Sequence, residues 1–167
     1  MKYKKHNLTL FVFGIYMLLL IWLILFKFAM SIEEIPHMRN INLIPFSQSV
    51  LVNGRLELSE IIYNILVFVP FGVYIGIFLP THSIVKKFLC CFGLSLFFEV
   101  IQYVFAIGAS DITDVIGNSF GGIIGILFYT TASRLLKDRA VKTINMIGLI
   151  IEILAVVLLS ILLIANM

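Results

Sequence analysis

Asp111, Asp114 and Asn118 lie three and four residues apart at the head of a long apolar run, so a helix would carry them on one face. Glu99 and Gln102, three apart in the preceding apolar run, would make a second such stripe. A carboxylate in mid-membrane costs roughly 2.5–3.5 kcal/mol on insertion scales, so ionisable groups placed there mark a functional site by default. Such groups could hydrogen-bond a polar headgroup, work as acid and base, hold a divalent cation through oxygen, or relay protons. Acid–base or nucleophilic catalysis lacks support from a partner. No His lies within an apolar run, and Ser95 and Ser119 have no evident activator. His6, His37 and His82 occupy terminal or loop positions without ligand spacing, so neither a metal site nor a cofactor is expected.

These residues need helices to position them, and the composition supplies them. Of 167 residues, 61% are hydrophobic and 13% charged, about half the charged fraction of a soluble domain. The expectation is an all-α integral membrane bundle, one membrane domain over 1–167, without a basic–aromatic patch for nucleic acid. A span takes about 20 mainly apolar residues. Five are predicted, over 8–26, 61–79, 88–107, 112–133 and 144–165, with an outer loop over 27–60. The first has a basic lead of Lys2, Lys4 and Lys5 but is too long for a signal-peptide core and lacks a clean cleavage site, so it reads as an anchor.

Basic residues set the orientation. With the N-terminus in the cytoplasm, nine of the twelve fall inside: Lys2, Lys4, Lys5, Lys86, Lys87, Arg134, Lys137, Arg139 and Lys142. Lys27, Arg39 and Arg55 fall outside, with the acids Glu33, Glu34, Glu57 and Glu60. The C-terminus is then extracytoplasmic. Pro70 should kink the second span and Pro80 end it, while Gly108 caps the third and Ser110 or Asp111 starts the fourth. That leaves a hairpin of about four residues between spans three and four.

In this topology Asn64, the pair Glu99 and Gln102, and the trio Asp111, Asp114 and Asn118 share one depth near the outer face. A polar, outward-opening pocket is the economical reading. Capping accounts for much of Asp111, since Asp is favourable at a helix N-terminus in any case. It accounts less well for Asp114 and Asn118, and not for Glu99. Glu152 lies in the inner half of its span, where pairing with Lys142 or Arg139 competes with any function. Gly117, Gly121 and Gly125 read as a close helix contact rather than a nucleotide fingerprint. Cys90 and Cys91, adjacent in a helix, point apart and should not form a disulfide; they read as small apolar residues, with lipidation as the alternative. The segment Arg39-Asn40-Ile41-Asn42-Leu43-Ile44-Pro45-Phe46 could fold back over the pocket as a lid. Arg39 and Lys27 are cations on the side of the acids, with snorkelling as the plain account of Lys27.

Four stretches together resemble the VanZ family of bacterial membrane proteins: Arg39 with Asn42–Phe46, Asn64–Gly72, Ser95–Gln102, and Asp111–Asn118 followed by Gly121-Gly122. They occur in the family's order, within a core of about 39–135. Trp22–Lys27 and Ala106–Asp111 look like the subgroup linked to teicoplanin resistance. Many members carry a basic residue shortly before the first Asp; Gly108-Ala109-Ser110 has none. The resemblance implies a multi-pass protein of the bacterial cell membrane that confers resistance to glycopeptide antibiotics of the lipid-bearing kind, without implying a reaction. Its partners would be membrane lipids and either the antibiotic or a lipid-linked wall precursor, held by Glu99, Gln102, Asp111, Asp114, Asn118, Asn64, Arg39, Asn42 and Lys27. A non-enzymatic factor is preferred to a membrane enzyme acting on a lipid-linked envelope substrate. It is also preferred to a small proton-coupled transporter, for which no inverted repeat is visible.

Overall fold

Long runs of Leu, Ile, Val and Phe can satisfy their backbone in a bilayer by coiling on themselves. The structure, a computed structural model, is accordingly mostly helical. It describes residues 2–26, 38–46, 51–52, 55–56 and 58–165. The helices are α1 (Lys2–Phe26), α2 (Ser59–Phe78), α3 (Ile84–Phe105), α4 (Ile112–Leu136) and α5 (Ala140–Ala165). Four helical stretches are long and apolar enough to cross a membrane: Asn7–Phe26, Ser59–Phe78, Ile84–Phe105 and Ile112–Ile161. The last holds α4 and most of α5, which are divided by a 3-10 turn at Lys137–Arg139 where Lys137 has a φ of 47°.

The architecture departs from all-α in two short ladders. Strand β1 (Met38–Asn42) pairs in parallel with β4 (Ile107–Asp111), from Met38 opposite Ile107 to Asn42 opposite Asp111. Strands β2 (Leu51–Val52) and β3 (Arg55–Leu56) pair antiparallel. The connection between α3 and α4 is therefore a strand rather than the short hairpin expected. The ladder gives its backbone groups partners that a bare turn between two apolar helices would lack. Gly108 is not the cap of α3. Ala106 takes that place in the left-handed region, with a φ of 55°, and its N–H reaches the carbonyls of Gln102 and Tyr103. Gly108 instead lies in the ladder opposite Arg39. Pro70 sits within α2, and Pro80 follows its C-cap Leu79, as expected.

The chain divides into two compact units. One comprises residues 20–130. Its core is aromatic: Phe68 of α2 meets Phe71 and Phe98 edge-on at centroid distances of 5.9 and 6.3 Å, the range in which ring quadrupoles attract. The buried stripe of α3 runs Lys87, Cys91, Ser95, Phe98, Glu99 and Gln102. Cys91 is thus in the core and Cys90 exposed, both free thiols. Helix α4 lies directly on α2. A Cβ on Gly121 would overlap the Ile65 carbonyl, and one on Gly125 the Val69 carbonyl. The expected close approach is present, and it turns the polar stripe of α4 inward.

The other unit comprises residues 1–19 and 131–167. Its buried residues include Val12 and Tyr16 of α1 and Asn145 and Glu152 of α5. The Asn145 side-chain nitrogen donates to Thr9 Oγ1 at 2.8 Å.

Candidate functional site

The site is assembled where α3 hands over to β4 and α4. The last carbonyls of a helix have no partner within it. Gln102 supplies one, its Nε2 donating to the Ile24 carbonyl near the end of α1 at 2.9 Å. This fixes which end of the amide is nitrogen and leaves Oε1 buried without a hydrogen-bond partner. Asn118, fully buried on α4, donates from Nδ2 to Ser95 Oγ of α3 at 2.9 Å, and its Oδ1 likewise has none.

Glu99 is tied to the start of α4. Its Oε2 accepts the Asp111 N–H at 2.9 Å, and its backbone carbonyl accepts from Ser110 Oγ at 2.7 Å. Asp111 is the N-cap in the expected manner, Oδ1 accepting the Thr113 N–H at 2.7 Å. Its other oxygen accepts from Asn42 Nδ2 at 3.0 Å. Asn42 Oδ1 in turn accepts the Ile44 N–H at 3.2 Å, and the Phe46 N–H donates to Thr113 Oγ1 at 3.0 Å. The segment expected as a lid is thereby stitched to the head of α4 by its backbone ladder and three side chains.

Two cavities open on this framework. The first, about 280 Å³, is polar on three of its walls: Glu99 and Gln102 of α3, Asp114 and Asn118 of α4, and Asn64 of α2. Five of the residues singled out in the sequence thus meet in one space. The second, also about 280 Å³, is largely apolar, with Ile41, Leu43, Leu96, Val100, Ile112 and Val115 around Asn42 and Asp111. Glu99 lines both.

Arg39 lines neither. Its guanidinium donates to the Val104 carbonyl at 3.1 Å, a cation on the last turn of α3, where the helix dipole favours positive charge. Lys27 lies outside the described residues. Three polar residues of the first cavity were missed, Ser59, Glu60 and Tyr63, along with the apolar Leu23 and Ile24 of α1. The three polar residues lie one to five residues before Asn64, with Glu60 four before it, so the i, i+4 pattern was available. The second span was expected to begin at residue 61, whereas α2 begins at Ser59 and takes Ser59 and Glu60 into its first turn. Among the described residues no group of three or more His, Cys, Asp or Glu is arranged to hold a metal ion.

Glu152 is elsewhere. It lines a cavity of about 180 Å³ whose other walls are Ile15, Leu149, Ile153, Val156 and Val157. Lys142 is ten residues back on the same helix, roughly 15 Å away at 1.5 Å per residue. That is too far for the ion pair considered from sequence, and Arg139 is farther.

The model of the VanZ/LLP1 family matches residues 13–136, which contain every element of both site cavities. The chain is 35% identical over 147 residues to Protein VanZ of Enterococcus faecium, an alignment that covers 86% of this chain and 88% of that protein. No solved structure matches. The motifs that line the cavities, the family match and the relative's near full-length coverage agree: the chain belongs to the VanZ/LLP1 family.

Proposed function

We propose that this protein is a glycopeptide-resistance factor of the teicoplanin type in the bacterial cell membrane, and that it acts by binding an amphiphile rather than by catalysis. It crosses the membrane five times, with the N-terminus in the cytoplasm and the C-terminus outside, as the distribution of basic residues favours. That topology brings the cavities to the outer face. The observation that carries the reading is the position of Glu99, on the walls of both a polar and an apolar cavity of similar size. A molecule with a polar head and an acyl chain needs both environments side by side. The antibiotic itself and a lipid-linked wall precursor both have this form.

The test is expression in a susceptible bacterium, with protection against teicoplanin and vancomycin compared for wild type and Glu99→Gln. The reading requires protection that favours the acyl-bearing drug and is lost in the variant at equal membrane abundance. Protection unchanged in Glu99→Gln sinks it. Equal protection against both drugs points to a general change in the wall instead.

A further inference from the structure

Two exposed turns in the unit of residues 20–130 differ in chemistry. The connection between α2 and α3 exposes Thr81, His82 and Ser83 beside Pro80, the composition of a turn in water. The turn that follows β1 exposes Leu43, Ile44, Pro45 and Phe46, with Leu43 at 73%, Ile44 at 68% and Phe46 at 48%. Four consecutive apolar residues set outward form the kind of patch that marks an interaction surface.

Their backbone indicates what that surface meets. A turn in water can leave its N–H groups to solvent, whereas in hydrocarbon each needs a partner within the protein. The Ile44 N–H donates to Asn42 Oδ1 at 3.2 Å, Pro45 has no N–H, and the Phe46 N–H donates to Thr113 Oγ1 at 3.0 Å. Three successive positions thus present no free donor. Phe46 also holds a φ of 63°, which is uncommon for a bulky side chain and persists only where the surroundings fix it. The position agrees with the backbone. Asn42 stands opposite Asp111, and Thr113 is the second residue of the span that begins at Ile112. The turn is therefore tied to the first turn of a membrane helix.

We infer that the turn Leu43–Phe46 is immersed in the bilayer. Its partner is the acyl chains of the leaflet at the head of α4, the outer leaflet in the orientation proposed above. Leu43 also lines the apolar cavity, so immersion sets that rim of the cavity in hydrocarbon. The inference goes beyond the amphiphile-binding reading and assumes nothing about what the cavities hold.

The experiment uses the full chain in phosphatidylcholine nanodiscs. Trp22 is the chain's one Trp, so in a Trp22→Phe background a single new Trp reports its own surroundings by fluorescence. Ile44→Trp is read against Phe97→Trp, at an exposed apolar position of a span, and His82→Trp, in the polar turn. Acyl-brominated phosphatidylcholine should quench Ile44→Trp as strongly as Phe97→Trp, while aqueous iodide should quench His82→Trp alone. Adding Thr113→Val, which takes the acceptor from the Phe46 N–H, should shift Ile44→Trp from lipid towards iodide quenching and move its emission to the red. Iodide quenching of Ile44→Trp equal to that of His82→Trp overturns the inference. So does quenching by neither agent, because the turn would then be covered by protein. Lipid quenching of Ile44→Trp with protection retained in Glu99→Gln sinks the amphiphile reading alone. Iodide quenching with protection lost in Glu99→Gln sinks the immersion alone.

Discussion

Glu99 and Glu152 are the same residue at nearly the same burial, 5% and 6% exposed, on apolar helices. They differ in what surrounds them. Glu99 accepts a backbone N–H from Asp111 and shares a polar cavity with Gln102 of its own helix and Asp114 and Asn118 of α4. Glu152 faces five aliphatic side chains, and its Oε2 has no hydrogen-bond partner among the described residues. Burial therefore does not distinguish the two carboxyls. The convergence of polar groups from several elements does, and on the proposed function it marks the one that acts. Around Glu99 the fold gathers polar groups; around Glu152 it supplies apolar surroundings, with no charged neighbour on the cavity walls among the described residues.

Matched substitutions in the two regions test this contrast, and the glycines should give the largest difference. Gly125→Ala drives a Cβ into the Val69 carbonyl, and backbone yields poorly. The expected loss is about 3 kcal/mol, the upper end for overpacking, seen as a sharp fall in Tm in detergent and loss of protection. Gly14→Ala has nothing within 4 Å of the new Cβ. It should raise stability by roughly 0.5–1 kcal/mol through helix propensity alone. If both substitutions behave alike, the close approach of α4 to α2 does not hold the site.

The glutamates come next and should differ in sign. Glu99→Leu leaves the Asp111 N–H without its acceptor and should cost about 2 kcal/mol, with protection abolished. Glu152→Leu replaces a buried carboxyl with a side chain its neighbours suit, and should raise Tm with protection intact, a gain of up to about 2 kcal/mol. Loss of protection in Glu152→Leu at normal abundance would break the comparison outright.

The asparagines should give the smallest effects. Asn42→Ala removes the hydrogen bonds to Asp111 and Ile44 and should cost about 1–2 kcal/mol. Susceptibility should rise in step, because Asn42 and Asp111 both border the apolar cavity. Asn145→Ala removes its bond to Thr9 and should cost about 1 kcal/mol, with no change in protection per molecule in the membrane. Thermal melts and susceptibility assays on the same membranes separate the two outcomes.

Much of the site could be read in residue order. The intervals Glu99–Gln102 and Asp114–Asn118 are helical, and the cavity contains both pairs. The Gly117–Gly121–Gly125 spacing announced a close helix contact, and the helix it meets is α2. Tyr63 lay inside the expected span and was not singled out, whereas Ser59 and Glu60 escaped because the start of α2 was placed two residues late. No capping side chain marks it: Leu58 stands at the N-cap and makes no side-chain bond.

The seam between β1 and β4 escaped for a deeper reason. Asn40–Leu43 alternates polar and apolar groups, but a two-stranded parallel ladder needs a partner far along the chain, and no local period names it. Residue order thus settles what is local: apolar runs that must coil to satisfy their backbone, a glycine face, and polar groups at helical intervals. Folding alone sets Glu99 against the head of α4, because Asp111, Asp114 and Asn118 reach it from β4 and α4. Glu152 takes four of its five aliphatic walls from its own helix, and folding adds Ile15 of α1.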